Sequence, residues 1–329
     1  MQRVAVIGAG NMGRRHANAY ALIPEAEIAA VFDMNEEAAQ ELAGAYDAHA
    51  YTNIEELLAN AEVDVVDICT PTPSHIEYII AAAEAGKQIC CEKPLARTSV
   101  EAQEAIRVCQ EAGVTLFVAH VLRWFPEFKK LHDLIKSGAV GEPVEVRTSR
   151  CGALPSGSDG WFMDYKRSGG VALDLIIHDY DWLRWCFGRV RKVYARGLVE
   201  SKTFNGDYAL VTLRFESGAI AHVEGSWARL SGFETSVEVA GTQGLLSFSS
   251  IDSKPLVIET KAADGCTGSV IVSESPVATN PYYLELKHFI DCLETGKAPD
   301  VSPEDGLEAV RIGEAALRSI STGQPVVLA

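Results

Sequence analysis

Long apolar runs are missing from this chain. No segment approaches the roughly 18 uninterrupted apolar residues that a membrane span needs, and the apolar start of "MQRVAVIGAGNMG" is too short and too glycine-interrupted for a secretory h-region. A cytoplasmic protein is expected. Basic runs are missing too: 29 Lys and Arg stand against 45 Asp and Glu, a formal net charge of -16 that repels nucleic-acid phosphates and anionic membranes. A small molecule is the expected partner, not nucleic acid or membrane. The eight cysteines, Cys69, Cys90, Cys91, Cys109, Cys151, Cys186, Cys266 and Cys292, contain no C-x-x-C pair. That argues against zinc and dithiol redox centres and predicts reduced, mostly buried thiols with no metal. Turn formers are scattered, and neither a repeat nor a low-complexity segment is present, so disorder is not expected.

What is present has two characters. Up to about residue 120, the apolar runs "VAVIG", "EIAAVFD", "VDVVDICT", "KQICCEK" and "VTLFVAH" alternate with helical stretches, which predicts parallel strands covered on both faces. Ser74 to Glu77 and Thr98 to Glu101 each have the spacing of a capping box at a helix start. Beyond residue 123, "EPVEVRTSR" leads through a glycine-rich loop to a helix expected from about Gly169 to Phe187. The alternating stretches "VRKVYARGLVE", "DYALVTLRF", "AIAHVEGSWA" and "FETSVEVAG" follow, with turn signals at Glu216-Ser217-Gly218 and Thr242-Gln243-Gly244. Amphipathic helices are expected near 281 to 296 and 303 to 321. With 329 residues, two domains follow: an α/β Rossmann domain over 1–122, doubly wound around a parallel sheet, and an α+β domain over 123–329 with a large, mainly antiparallel open sheet.

Gly8, Gly10 and Gly13 form G-x-G-x-x-G between a strand and a helix, with Asn11 and Met12 inside the motif. The glycines would allow a tight turn, a close approach to a pyrophosphate and close helix–strand packing. A purely structural glycine turn is the other reading. Asp33, twenty residues beyond Gly13, ends the second strand, where a carboxylate can accept hydrogen bonds from both ribose hydroxyls. It would repel a 2′-phosphate, and "DMNEEAA" has no basic residue to receive one, so NAD is preferred over NADP. Arg14 and Arg15 can reach a phosphate or be solvated.

"QICCEKPLARTS" sets two adjacent thiols beside a charged pair. Cys90 and Cys91 lie inside a strand, pointing to opposite faces, and read as core fillers. Glu92, Lys93 and Pro94 fall where that strand ends, and ligands of open α/β sheets sit outside the carboxyl ends of strands. Pro94 favours an extended Lys93. The charged pair is the candidate for chemistry.

"GAGNMG", Asp33, "TPTPSH" and "EKP" together resemble the glucose-fructose oxidoreductase and inositol dehydrogenase family (Gfo/Idh/MocA), over essentially the whole chain. The resemblance implies that Lys93 contacts the nicotinamide region and the reacting hydroxyl, with Glu92 beside the cofactor. It implies that Thr70, Pro71, Thr72 and His75 line the dinucleotide. For His75, a first-turn helix residue bonded to backbone is an equal alternative.

"SGGVALDLIIHDYDWLRWCFG" puts Asp174, His178, Asp181 and Trp185 on one face of a continuous helix. A solvated acidic side of an amphipathic helix is the plain reading. A histidine one turn from a carboxylate is also a plausible general base. The segment resembles the family pattern G-G-x-x-x-D-x-x-x-H-D through Gly169, Gly170, Asp174, His178 and Asp179, which implies a Lys, Asp, His catalytic constellation. Trp161 matches a family tryptophan near nicotinamide or substrate, with a core role as the alternative. Arg123 matches a basic residue facing the substrate, and Trp124 and Phe125 read as packing. Inositol-specific members carry an aromatic-aspartate pair where this chain reads "RWFPEF", which argues against myo-inositol itself.

The expected reaction is reversible oxidation of a secondary hydroxyl on a sugar, cyclic polyol or sugar derivative. His178 takes the proton, Lys93 stabilises alkoxide charge, Asp174 holds a neighbouring hydroxyl, and hydride passes to C4 of the nicotinamide. The alternatives are an NAD-dependent glycoside hydrolase with transient internal redox and a non-catalytic dinucleotide-binding regulator. By analogy, the second sheet's outward face makes a homo-oligomer, dimer or tetramer.

Overall fold

The computed structural model describes residues 1–59, 62–198, 207–251 and 280–328. Two compact units result: Met1–Trp124 with Thr279–Val310, and Phe125–Ala278 with Arg311–Ala329. The division expected at 122/123 assigned Thr279–Val310 to the second domain; in the structure this stretch packs with the first unit, where Leu286, Phe289 and Ile290 join its core.

The first unit begins with β1 (Gln2–Ile7), α1 (Asn11–Tyr20), β2 (Ala26–Phe32), α2 (Glu36–Gly44), β3 (His49–Tyr51) and α3 (Ile54–Leu58). It continues through β4 (Val65–Ile68), α4 (His75–Glu84), β5 (Gln88–Glu92), α5 (Ser99–Ala112) and β6 (Leu116–Ala119). Its six strands are all parallel, in the order β3-β2-β1-β4-β5-β6, the doubly wound arrangement. β3 is a three-residue edge strand that the hydrophobic pattern did not reveal. Strands β4 and β6 are buried at every residue, as a sheet covered on both faces requires. Thr98 and Glu101 form the expected capping box, and α5 ends on Gly113 in the left-handed region. The box expected at Ser74 is absent: a 3₁₀ turn over Thr72–Ser74 precedes α4, and the Ser74 hydroxyl bonds Thr70 Oγ1 and Pro71 O instead.

The second unit runs through α6 (Pro126–Lys136), β7 (Pro143–Ala153), α7 (Tyr165–Ser168), a π-helix (Val171–Leu175), α8 (Ile177–Phe187), β8 (Val190–Leu198) and β9 (Tyr208–Phe215). β10 (Ile220–Ser226), β11 (Ala228–Gly241) and β12 (Gly244–Ser249) follow, then α9 (Pro281–Thr295) and α10 (Pro303–Thr322), of which α9 and the part of α10 up to Val310 are counted with the first unit, and finally β13 (Val326–Val327). Among the described residues the sheet has seven strands, ordered β12-β11-β7-β10-β9-β8-β13. Every pair is antiparallel except β7 with β10. In β9 and β10 buried Ala209, Val211, Leu213, Ala221 and Val223 alternate with more exposed residues, so one face carries the core. The helical segment lies on that face at Gly225, where a side chain would stand 2.3 Å from Val171 Cγ1. Val199, Glu200 and Cys266 lie outside the described residues.

Candidate functional site

In the first unit the loop after β1 is built by close approach. Gly8 has φ +102°, and a Cβ on Gly13 would stand 1.8 Å from the Gly8 carbonyl oxygen. A Cβ on Gly10 would meet nothing within 4 Å, so that side of the loop is open. Gly10 is the N-cap of α1; no side chain accepts from the helix start, and the first turn, with Asn11 and Met12, carries no acid. Free N–H groups at the positive end of a helix, beside open space, fit a pyrophosphate.

Asp33 stands at the end of β2 against this loop. Its Oδ2 accepts the Ala9 N–H at 2.8 Å and its Oδ1 accepts the Asn35 N–H at 2.8 Å. These bonds fix the carboxylate while each oxygen retains a lone pair for a hydroxyl. Arg14 is engaged with Glu41 at 2.7 Å, and the Arg15 guanidinium lies 4.9 Å from the centre of the Tyr282 ring.

Thr70, Pro71 and Thr72 follow β4, and Gly8 abuts them, its missing Cβ position 3.2 Å from Thr70 Cγ2. His75 is buried, with Nδ1 2.9 Å from Pro94 O and Nε2 2.8 Å from Thr70 O. Burial, partly opposed by the two carbonyls, pushes its pKa down. A neutral ring carries one N–H, so it donates to one of the two carbonyls and packs against the other, between the turn after β4 and the segment after β5.

Cys90 and Cys91 are fully buried inside β5, and burial pushes both thiols well up. All seven described cysteines are buried, and none of them is in a disulfide. At the strand end, Glu92 Oε2 accepts the Lys93 N–H at 2.9 Å, and the Lys93–Pro94 bond is cis. Lys93 itself is partly exposed. Glu92 Oε1 lies 3.1 Å from Nε2 of His16, whose Nδ1 lies 2.8 Å from Asp67 Oδ2. Burial alone would lower the His16 pKa and raise that of Glu92. The facing charges reverse both, leaving His16 well up and Glu92 down. Sequence reading missed His16 and Asp67. The available signal was Asp67, an aspartate inside the otherwise apolar strand "VVDI" beside β5.

In the second unit the single helix expected over Gly169–Phe187 is two. Ile176 N–H bonds Val171 O, five residues back, at 3.1 Å, so a π-helix carries Asp174 and the α-helix that follows it carries His178. Tyr180 Oη donates to Ala172 O at 3.0 Å, and Asp207 Oδ2 accepts the Val171 N–H at 2.6 Å. Asp174 is buried and His178 half-buried. The solvated acidic side is overturned as well: Asp181 is buried, and buried Asp179 pairs with Arg150 at 2.7 Å. Trp185 stacks on His132 with ring centres 3.5 Å apart.

Trp161 is buried against Phe162, 4.1 Å between ring centres. Arg123, in the first unit, is buried; its guanidinium donates to Asp300 O at 2.9 Å and pairs with Asp305 at 3.2 Å. It holds the Thr279–Val310 segment of its own unit.

Comparison with known proteins agrees with this construction. Residues 2–120 match the oxidoreductase family with an NAD-binding Rossmann fold (GFO_IDH_MocA), and residues 128–247 match the GFO/IDH/MocA C-terminal domain. The chain is 34% identical to the myo-inositol 2-dehydrogenase of Thermotoga maritima, covering 99% of this chain and 98% of that one. It is 32% identical to the scyllo-inositol 2-dehydrogenase (NAD(+)) of Bacillus subtilis, covering 99% and 96%. The crystal structure of GenD2 from gentamicin A biosynthesis in complex with NAD superposes with a TM-score of 0.90 at 27% identity, over 100% of this chain and 97% of that one. The two matched halves and the near-complete coverage make this chain a member of the Gfo/Idh/MocA oxidoreductase family.

Proposed function

We propose that this protein is an NAD-dependent dehydrogenase that reversibly oxidises a secondary hydroxyl of a sugar, an inositol-like polyol or a sugar derivative. The observation that carries the reading is Lys93, held at the carboxyl end of β5 by its own N–H on Glu92 at 2.9 Å, in the unit whose open glycine loop fits a pyrophosphate. Bound along Gly8–Gly13, Asp33, Thr70–Thr72 and His75, NAD would supply the hydride acceptor that side chains lack. Asp33, with Glu36 and Glu37 in the first turn of α2, disfavours a 2′-phosphate. Lys93 stabilises the negative charge that develops on the substrate oxygen, His178 takes the hydroxyl proton, and Asp174 holds a neighbouring hydroxyl. The names of the inositol dehydrogenases above support the substrate class.

The test is absorbance at the NADH band after mixing the protein with NAD, and separately with NADP, across sugars, inositols and sugar acids. Reduction of NAD by one polyol class is expected, with NADP weaker. Silence across the panel despite measurable NAD binding overturns the dehydrogenase in favour of internal redox or a regulator. Lys93→Ala is expected to lose turnover at least about 100-fold, as for a lost transition-state contact, while NAD affinity is kept. Unchanged turnover would remove Lys93 from its role.

We assign the reaction to the cytoplasm, consistent with the reduced thiols; among the described residues no helix is long and apolar enough to cross a membrane. We assign the outward face of the second unit's sheet, with exposed Leu198, Leu210, Ile220 and Leu245, to self-association. Light scattering should return a dimer or tetramer, and a monomer at micromolar concentration would overturn this.

A further inference from the structure

His16 lies one turn into α1 with both ring nitrogens facing carboxylates: Nδ1 to Asp67 at 2.8 Å, Nε2 to Glu92 at 3.1 Å. A neutral imidazole has one N–H and one lone pair, so against two carboxylates one of its contacts would set lone pair against lone pair. While both carboxyls are ionised, only the imidazolium satisfies both. The other Glu92 oxygen holds the Lys93 N–H, which completes a chain of contacts from α1 to the backbone of Lys93.

The groups around the ring agree. From α1 come Arg15 and Tyr20; from β4 Asp67, with Cys69 just beyond it, its Sγ 3.4 Å from Nδ1; from β5 Cys90 and Glu92, with Lys93 after them; from α9 Tyr282, 6.0 Å between ring centres, and Glu285. The Cys69 thiol is pushed up to about 12, chiefly by burial, and so stays neutral. His16 Nδ1, Asp67 and Cys69 could also ligate a metal, their ligand atoms lying within 4.8 Å of one another. A 2.8 Å nitrogen–oxygen contact is hydrogen-bond spacing, and the retained thiol proton opposes ligation.

We propose that His16 is a positioning residue: a permanently protonated imidazolium that clamps Asp67 and Glu92 and so makes the start of the dinucleotide-loop helix and the backbone of Lys93 one rigid assembly. The clamp itself is a matter of protonation and geometry, whereas its consequence for turnover rests on the assignment of Lys93 above.

The first experiment needs no dinucleotide. Nitrogen-15 NMR of the full chain labelled at histidine, with His16 assigned through the resonance that His16→Gln removes and Glu92→Gln displaces, should show both ring nitrogens protonated from about pH 6 to 9. A neutral tautomer near pH 7.5 overturns the clamp, as does one equivalent of zinc bound to the purified protein. The second experiment reads turnover. His16→Gln is expected to lower kcat at least about tenfold with NAD affinity, titrated separately, within about threefold. Removing the imidazolium charge should also displace the pH–rate profile. A folded His16→Gln protein with unchanged kcat and profile overturns the positioning role. The outcomes separate cleanly: unchanged turnover in Lys93→Ala removes the role of Lys93 while leaving the NMR result to decide the clamp.

Discussion

Helix α1 begins at Gly10 with no side chain accepting from its start and no acid in its first turn, whereas the π-helix Val171–Leu175 begins by giving the Val171 N–H to the buried carboxylate of Asp207. Both follow glycines with positive φ: Gly8 at 102°, Gly169 and Gly170 at 73° and 62°. The first terminus has no such acid against it, and the second gives its Val171 N–H to a carboxylate of its own unit. What the second segment offers the proposed reaction is side chains, Asp174 and, on the helix that follows, His178. On the function proposed above, glycine-led helix starts would serve two chemistries, backbone capture of a phosphate and placement of an acid–base pair.

The largest effect that sharpens this contrast comes from Gly13. In Gly13→Ala the new carbon lands 1.8 Å from Gly8 O, so the loop must open. NAD affinity should fall at least about 100-fold, near 3 kcal/mol, together with a lower Tm. Gly10→Ala meets nothing within 4 Å and should leave Tm unchanged while weakening NAD binding, because the methyl occupies the phosphate's approach. Calorimetric titration and thermal melts of both variants decide; equal loss of Tm would contradict the open side of the loop.

A smaller effect tests the other helix. Asp207→Ala strands the Val171 N–H in the interior, and burial already raises the pKa of this carboxyl. The cost should be about 1–3 kcal/mol in denaturant unfolding, with kcat reduced and NAD affinity intact. A loss of NAD affinity comparable to that in Gly10→Ala would erase the distinction between the two termini.

How much of this could be read beforehand follows from sequence distance. The glycine loop was legible because its parts are contiguous and the loop dictates their spacing; Asp33 was legible because strand length fixes it. Lys93 stood out by its place at a strand end. His16 did not, since its partners lie 51 and 76 residues away and only the strand order β1-β4-β5 brings them together. The π-helix leaves no periodic mark: one extra residue in a turn is invisible to an i, i+4 pattern, so Asp174 and His178 were placed on one continuous helix where the structure has two. Arg123 was read as facing the substrate because nothing in "RWFPEF" reveals Asp300 and Asp305. The short edges β3 and β13 were missed because their three and two residues are too few for alternation to show.

The last expected effect is a pH dependence, and its sign follows from the clamp. His16 has its pKa raised in the fold, despite burial, by the facing Asp67, so its contribution to stability is complete below the ordinary value of 6.5 and is lost as pH rises through the raised value. Glu92 has its pKa lowered, again despite burial, by His16 and Lys93; its contribution is complete above the ordinary 4.5 and is lost as pH falls through the lowered value. The stability difference between the wild type and His16→Gln should therefore be flat between about pH 4.5 and 6.5 and narrow on both sides, as read from denaturant unfolding at a series of pH values. A difference that instead widens above pH 6.5 would mean that His16 stabilises the fold as a neutral ring, and the first unit would then hold Lys93 without a buried charge.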